Sequence, residues 1–466
     1  MLTLVIDQGT LNTKALALDE QGNVRASAAC SIALNRRGSA LVEQEPDEIL
    51  ASVQEVVSRV LADATVRRLG LSSAGFASQR SSVLAWDKRT GQPLCPLLSW
   101  QDRRAERWLG RFSTQAGRIK EKTGLPLSPH YGASKLRWLL EQVPEVSRAH
   151  RKGYLALGPL ASFLLFHLLR GRPHVVDHAN ASRTQLWNLA TRDWDPWLLD
   201  LFGVPQETLP HCRPVSHNYG LMKTAAIPLT AVNGDQTSAI YGLGRPRRDT
   251  AMVNLGTGAF ILLSTGTTPV HQPALLTGLA RSSEDRAEYV IEGTVNGAGS
   301  ALDWAATQWD LPHITEKLSA WLCREGEPPL FINSIGGLGS PWWKPGPAPK
   351  LVGDGEPWQR AVAVVESILF MLGANLETMV RAGLVVGRLE ISGGLARLNG
   401  LCQRLADLTQ RPVYRSAETE ATARGIAWLA RGSPSRWPKP GRGRIFRPQA
   451  NPSLAARNKR FQQILA

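Results

Sequence analysis

Apolar residues fall along this chain in short blocks that read by turns as strands and helices. Residues 2–7, Leu-Thr-Leu-Val-Ile-Asp, are apolar enough for a buried strand and end on a carboxylate. Segments 16–18 and 24–28 flank a turn at 20–23, which makes the opening a β-meander. From Pro46 to Ala62, the residues Ile49, Val53, Val56, Val57 and Val60 share one helical face, and a proline is tolerated in that first turn. Strand and helix patterns keep alternating, which predicts an α/β fold with largely buried sheets.

A comparable opening returns past the midpoint, where residues 251–255 run into Gly256-Thr257-Gly258 and a second apolar segment at 259–263. Residues 4–10 and 253–257 share a strand, a glycine turn with a threonine, and a second strand, a pattern common enough to recur by chance. A chain of 466 residues is too long for one ordinary core, so two domains of roughly 200 residues and a cleft between them are expected.

Composition narrows the class. A hydrophobic share of 43% with 20% charged residues belongs to a globular chain rather than a disordered one. The longest apolar stretch, 160–169, has ten residues and includes His167, short of the roughly 20 needed to cross a bilayer. No membrane span and no leader is read, so a cytoplasmic location is expected. Cys30, Cys95, Cys212, Cys323 and Cys402 show no metal-ligand spacing and are read as reduced. The formal charge of +15 raises nucleic acid as a partner, but nine Lys/Arg and no Asp/Glu follow Ala430 in a Pro/Gly-rich segment. With no aromatic-interleaved basic motif beside it, that segment is read as a solvated end, and nucleic acid is not expected as a partner.

Four segments carry candidate chemistry. Asp7-Gln8-Gly9-Thr10, with Thr13 and Lys14, sets a carboxylate at a strand end before a donor-rich turn, suited to phosphate and to Mg²⁺ held through water. A hairpin capped by Asp gives the same pattern. Asn233-Gly-Asp-Gln236 follows an apolar run and presents Asp235 as a general base, or as an Asp in an ordinary turn. Gly256-Thr257-Gly258 lets a backbone loop approach phosphates closely. Ile391-Ser-Gly-Gly394 offers a similar turn before a helix marked by Leu398, Leu401, Cys402, Leu405 and Leu408.

Taken in order, these segments resemble the sugar and polyol kinase family, which includes glycerol, xylulose, ribulose and gluconate kinases. The resemblance runs through Val42–Pro46, Ser78-Gln-Arg80, Trp86-Asp87, Leu98–Arg104, Asn180–Thr184 and Asp193–Asp195. It continues through Gly234-Asp-Gln236, Gly256-Thr-Gly258, Glu292-Gly293, Gly337–Pro341, Gly393-Gly394 and Phe446-Arg-Pro448. Ser78–Arg80, Asn180–Thr184 and Gly337–Pro341 look most like the glycerol kinase branch. The resemblance implies two actin-like, ribonuclease H-like ATPase domains around a catalytic cleft. The first, 1–242, would hold the acceptor and the phosphate loop, and the second, 243–430, the nucleotide, with a basic segment at 431–466. It implies ATP and Mg²⁺, a small polyol or sugar as acceptor, and leaves a homo-oligomer open.

By the same carry-over, Asp235 is the base that takes the proton of the attacking hydroxyl, and Asp7 is the Mg²⁺-associated carboxylate. Thr10, Asn12 and Lys14 belong at the ATP phosphates, and Thr257, Gly299, Gly394 and Asn399 line the nucleotide from the second domain. Arg80, Ser81, Trp100, His130, Asp235 and Gln236 surround the acceptor. This chain departs from glycerol kinases in that pocket, with Ser81 for Glu and His130 for Tyr, and Tyr131 one place displaced. On the nucleotide side Asp303 stands for Gln, and Leu398 for the first of two Asn. Trp342-Trp343 has no role beyond packing in this reading. Three readings follow: a kinase of another polyol or sugar, a true glycerol kinase with a rearranged pocket, and a non-catalytic sugar sensor on the same fold.

Overall fold

The computed structural model describes residues 1–38, 40–417, 420–438 and 441–465. Numbering only the strands of the two central sheets, the first contains β1 (Leu2–Gln8), β2 (Asn12–Leu18), β3 (Val24–Ser31), β4 (Leu71–Ser78) and β5 (Leu229–Gly234), in the order β5-β4-β1-β2-β3. β1, β2 and β3 form an antiparallel meander, while β4 and β5 continue the sheet in parallel with β1. The second sheet contains β6 (Thr250–Leu255), β7 (Ala259–Gly266), β8 (Leu276–Ser282), β9 (Ala287–Val295), β10 (Arg388–Ser392), β11 (Val413–Arg415) and β12 (Arg444–Phe446). Its order is β8-β9-β7-β6-β10-β11-β12, with antiparallel β7, β9 and β8 on one side of β6, β9 lying between β7 and the edge strand β8, and parallel β10 and β11 on the other. The weak repeat in sequence is therefore a repeat in topology.

Side-chain alternation decides what covers each face. Leu2, Leu4 and Ile6 of β1 join the face of α1 (Pro46–Ala62) that carries Ile49, Val53, Val56, Val57 and Val60. Each such apolar side chain contributes about 1.5–3 kcal/mol when fully buried. Val5 points the other way, into a core with Ala423, Ile426 and Trp428 of α6 (Ala421–Ala430). Asp7, two residues beyond Val5, lies on that same face. In chain order α6 belongs to the segment 243–430, yet it packs on the first sheet. A Cβ at Gly425 would meet the Ser238 carbonyl at 1.7 Å, so α6 crosses α2 (Asp235–Ala239) almost backbone to backbone. The buried Arg424 guanidinium donates to the carbonyls of Gly22, Gly242 and Pro438 and fixes that crossing.

One long apolar helix is accounted for by its burial, and one expectation changes. α4 (Pro357–Arg381) is long and apolar enough by composition to cross a membrane, but 83% of its apolar window is buried inside the protein, where it packs on the second sheet. The reading at 160–169 passed over it because Glu366 and Glu377 interrupt the run. The segment after Ala430 is also not a solvated end. β12 extends the second sheet, and α7 (Pro452–Leu465) buries Leu454, Phe461 and Leu465 in the second core. Arg457 makes a bidentate ion pair with Glu366 at 2.8 Å for both contacts, on a carboxylate only 1% exposed.

Candidate active site

The cleft floor is built where β1, β4 and β5 end side by side. Asp7 stands opposite Lys14 across the β1–β2 turn and beside Ala77 of β4. Asp235 opens α2 directly after β5, and its carboxylate accepts the backbone N–H of Gln236 at 2.7 Å. Both carboxyls are held above the ordinary range. Burial pushes Asp7 up to about 7, with the Asp235 and Glu420 charges adding to burial and Lys14 opposing it. Asp235 is raised by burial against the pull of Arg80. Its side chain still keeps 30% of its accessibility, so it is desolvated by protein yet open toward a ligand.

Arg80 lies across the floor because residue 234 is glycine: a Cβ there would meet Arg80 Cδ at 2.4 Å. Its Nε stands 3.8 Å from Asp235 Oδ1, Nη2 donates to Gln236 Oε1, and Nη1 stands 3.9 Å from Glu292 Oε2. That Nη1 and the neighbouring Ser81 Oγ are buried without a hydrogen-bond partner. Ser81 itself has φ 64°, the left-handed region that a serine enters at a cost. Burial and the nearby Arg183 lower Arg80 to about 10. His130 packs on Trp100 with ring centroids 5.3 Å apart, and burial keeps its imidazole well below the usual histidine range, so it is neutral. The Trp100 indole N–H donates to Thr10 Oγ1 at 3.0 Å, which ties the acceptor wall to the phosphate turn.

On the second domain, the residues expected at the nucleotide also meet. Thr257 O accepts the N–H groups of Ala298 and Ser300 at 3.0 and 3.1 Å, and Gly256 O accepts that of Gly299 at 2.9 Å. This sets the β6–β7 turn on the first turn of α3 (Gly299–Gln308). Gly393, at φ 95°, packs so closely that a Cβ would meet Leu255 O at 2.4 Å, while Gly394 faces open space. Asn399 opens α5 (Asn399–Thr409), and its Oδ1 accepts Arg415 Nη2 at 3.0 Å. In the first domain, Asn12 Oδ1 accepts from Ser31 Oγ at 3.2 Å, and Lys14 Nζ binds both Glu420 oxygens at 2.8 and 3.0 Å.

Sequence reasoning passed over four groups that this arrangement brings in. Glu420 caps the Lys14 ammonium, Arg183 and Glu292 form a buried ion pair next to Arg80, and Lys135 donates to the carbonyls of His130 and Ser81 at 2.8 and 3.3 Å. Arg183 and Glu292 stood inside recognised segments, which was the available signal. Lys135 opens the Lys-x-x-Trp segment against which His130 was placed, and Glu420 had no signal that points to a site. Among the described residues, no group of three or more His, Cys, Asp or Glu is gathered as a metal cage. Two mutually repelling carboxylates at the floor still suit Mg²⁺, which binds through one or two carboxylates together with phosphates and water.

The N-terminal domain profile of the FGGY family of carbohydrate kinases matches residues 2–242, and the C-terminal domain profile matches 251–431. A glycerol kinase of Alkalilimnicola ehrlichii is 36% identical over 441 residues, covering 92% of this chain and 89% of its own. One of Thermus brockianus is also 36% identical, with the same two coverages. Among solved structures, Plasmodium falciparum glycerol kinase with ADP superposes with a TM-score of 0.87 at 24% identity, covering 99% of this chain and 97% of its own. Gluconate kinase of Lactobacillus acidophilus gives 0.85 at 21%, covering 100% and 97%. Two domain profiles in order, relatives along nearly the whole length, and a duplicated sheet around a carboxylate floor agree: the chain belongs to the FGGY family of carbohydrate kinases, ATP-dependent enzymes that phosphorylate a hydroxyl of a small polyol or sugar.

Proposed function

We propose that the acceptor is a polyol or ketose longer than glycerol, and that Asp235 is its general base. The observation that carries this reading is a pair of buried atoms without hydrogen-bond partners, Nη1 of Arg80, whose guanidinium lies beside Asp235, and Oγ of the adjoining Ser81. Buried polar atoms without partners cost free energy, and hydroxyls of a ligand satisfy them. Serine is shorter than the glutamate of glycerol kinases and leaves space for another carbon and its hydroxyl. Neutral His130 supplies a ring nitrogen where those enzymes use a phenol.

In this reading Asp235 takes the proton as the acceptor oxygen attacks the γ-phosphorus. The bond from that phosphorus to its bridging oxygen breaks, and ADP leaves. Thr10 and Asn12 face the phosphates from the first domain, with Lys14 held ready by Glu420. Thr257, Gly299, Gly394 and Asn399 face the nucleotide from the second. Asp7 is the residue that would hold Mg²⁺, which when bound supplies charge neutralisation at the phosphates. Phosphoryl transfer depends on such positioning more than on covalent chemistry. Five unpaired cysteines agree with action in a reducing cytoplasm. The test is ADP release with ATP and matched acceptors, from glycerol through tetritols, pentitols and pentuloses. A longer compound should show the highest kcat/KM. A wide preference for glycerol restores the glycerol kinase reading, and ATP binding without turnover of any acceptor favours the non-catalytic sensor.

A further inference from the structure

Glu292 sits in the middle of β9, on a central sheet of the second domain, and is 1% exposed. It reaches out of its own domain. Its carboxylate pairs with Arg183, which follows the helix His178–Ser182 of the first domain, and stands 3.9 Å from Arg80 Nη1. Burial alone would raise this carboxyl, but Arg183 and then Arg80 hold it below the usual range, so it is the anion of the group. The surrounding sheet is shaped for the contact. On β8, Arg183 Nη2 would lie 3.3 Å from a Cβ at Gly278, so the glycine leaves the guanidinium its place. Leu276, directly opposite Glu292 in the β8–β9 register, packs with Leu125 and Tyr131 of the first domain, and Trp343 closes that cluster. The Tyr131 phenol also lies beside Arg183. One patch of the second sheet thus forms a wall against the acceptor residues.

We propose that Glu292 is a positioning residue for the acceptor: through Arg183 and directly, it sets the attitude of Arg80, so the acceptor site is complete only when the two domains meet. The inference rests on reading Arg80 as an acceptor ligand and Asp235 as the base. It makes the domain that carries the nucleotide a contributor to acceptor recognition, and it lets acceptor binding favour closure.

The experiment is steady-state kinetics on full-length Glu292→Gln, varying ATP and the best acceptor of the panel in turn. Acceptor KM should rise about ten- to a hundred-fold, as for loss of a charged partner, with kcat reduced and ATP KM within about two-fold. Glu292→Asp, which keeps the charge, should recover part of the acceptor KM. Because breaking a buried pair can unfold a protein, Arg183→Met/Glu292→Leu removes both charges together and should be folded with the same acceptor defect. An unchanged acceptor KM in a folded variant, or equal rises in both KM values, overturns the proposal. Asp235→Asn is run beside it: full turnover there overturns the base reading and leaves the Glu292 result to be judged by itself.

Discussion

The two faces of the cleft start from one topology and reach different chemistry. β1 with its turn and β6 with its turn are equivalent: Gly9 N–H bonds to Asn12 O and Gly256 N–H to Gly258 O, each at 2.9 Å. Where the first copy carries Asp7 opposite Ala77, the second carries Asn254 opposite Ser392, to whose hydroxyl it donates at 3.1 Å. The first face presents charged side chains, Asp7, Lys14, Arg80 and Asp235. The second presents backbone free of side chains, through glycines at 258, 393 and 394, while the N–H groups of Gly256 and Gly299 donate to the carbonyls of Gly258 and Gly256. Side chains can abstract a proton and hold a cation. Backbone N–H groups receive a polyanion without repelling it. In the proposed reading, a duplicated scaffold divides the labour by changing the residue at one strand end.

The sharpest way to break this comparison is Asp235→Asn, which should lower kcat by about 10²–10⁴-fold with ATP affinity nearly intact. Near-normal turnover would remove the proton-abstracting role from the first face. Next in size is Ser81→Glu with His130→Tyr. Restoring a charge-assisted hydrogen bond worth roughly 1.5–3 kcal/mol should raise kcat/KM for glycerol about ten-fold or more and lower it for the longer acceptor. Loss on both would mean that these positions do not set specificity. Third, Asn254→Asp makes the second face resemble the first, and a carboxylate facing phosphates should raise ATP KM about ten-fold without moving acceptor KM. An unaffected ATP KM would show that neutrality there is incidental.

The smallest effect is thermodynamic. Burial raises folded Asp7 from the usual 3.8 to about 7, so the unfolded chain is the stronger acid. Stability from this group is full below about pH 4 and is lost as pH rises through about 7. Asp7→Asn removes that loss. In ligand-free protein the Tm of the variant minus that of wild type should grow from near zero at about pH 4 to a plateau above pH 7, by a few degrees in differential scanning fluorimetry. A flat difference would mean that Asp7 is compensated in the folded state.

Much of this was legible before any coordinates. Apolar patterning gave the opening meander and a comparable second opening, helical spacing gave α1, and the segments quoted in order included Asp7, Arg80 and Asp235, which meet at the floor of the first domain. What escaped was long-range. Arg183 meets Glu292 across 109 residues, and Lys14 meets Glu420 across 406, distances at which no local pattern connects the partners. The C-terminal segment was misread for another reason: nine basic residues drew attention from Leu454, Phe461 and Leu465, whose spacing is that of one helical face. α6 was assigned by its place in the chain, whereas its apolar surface fits the first sheet.

The position of α6 has a consequence for synthesis on the ribosome. The strands of the first sheet are all made by Gly234, but the helix that covers the Asp7 face is not complete until Ala430. At about 5–20 residues per second, that face waits on the order of ten seconds or more, with Val5, Ala77 and Ala231 uncovered. The N-terminal half therefore cannot finish folding as an autonomous unit. A chain that stops before α6 would expose an apolar sheet face to chaperones, and the catalytic floor would form only once nearly the whole protein had been translated.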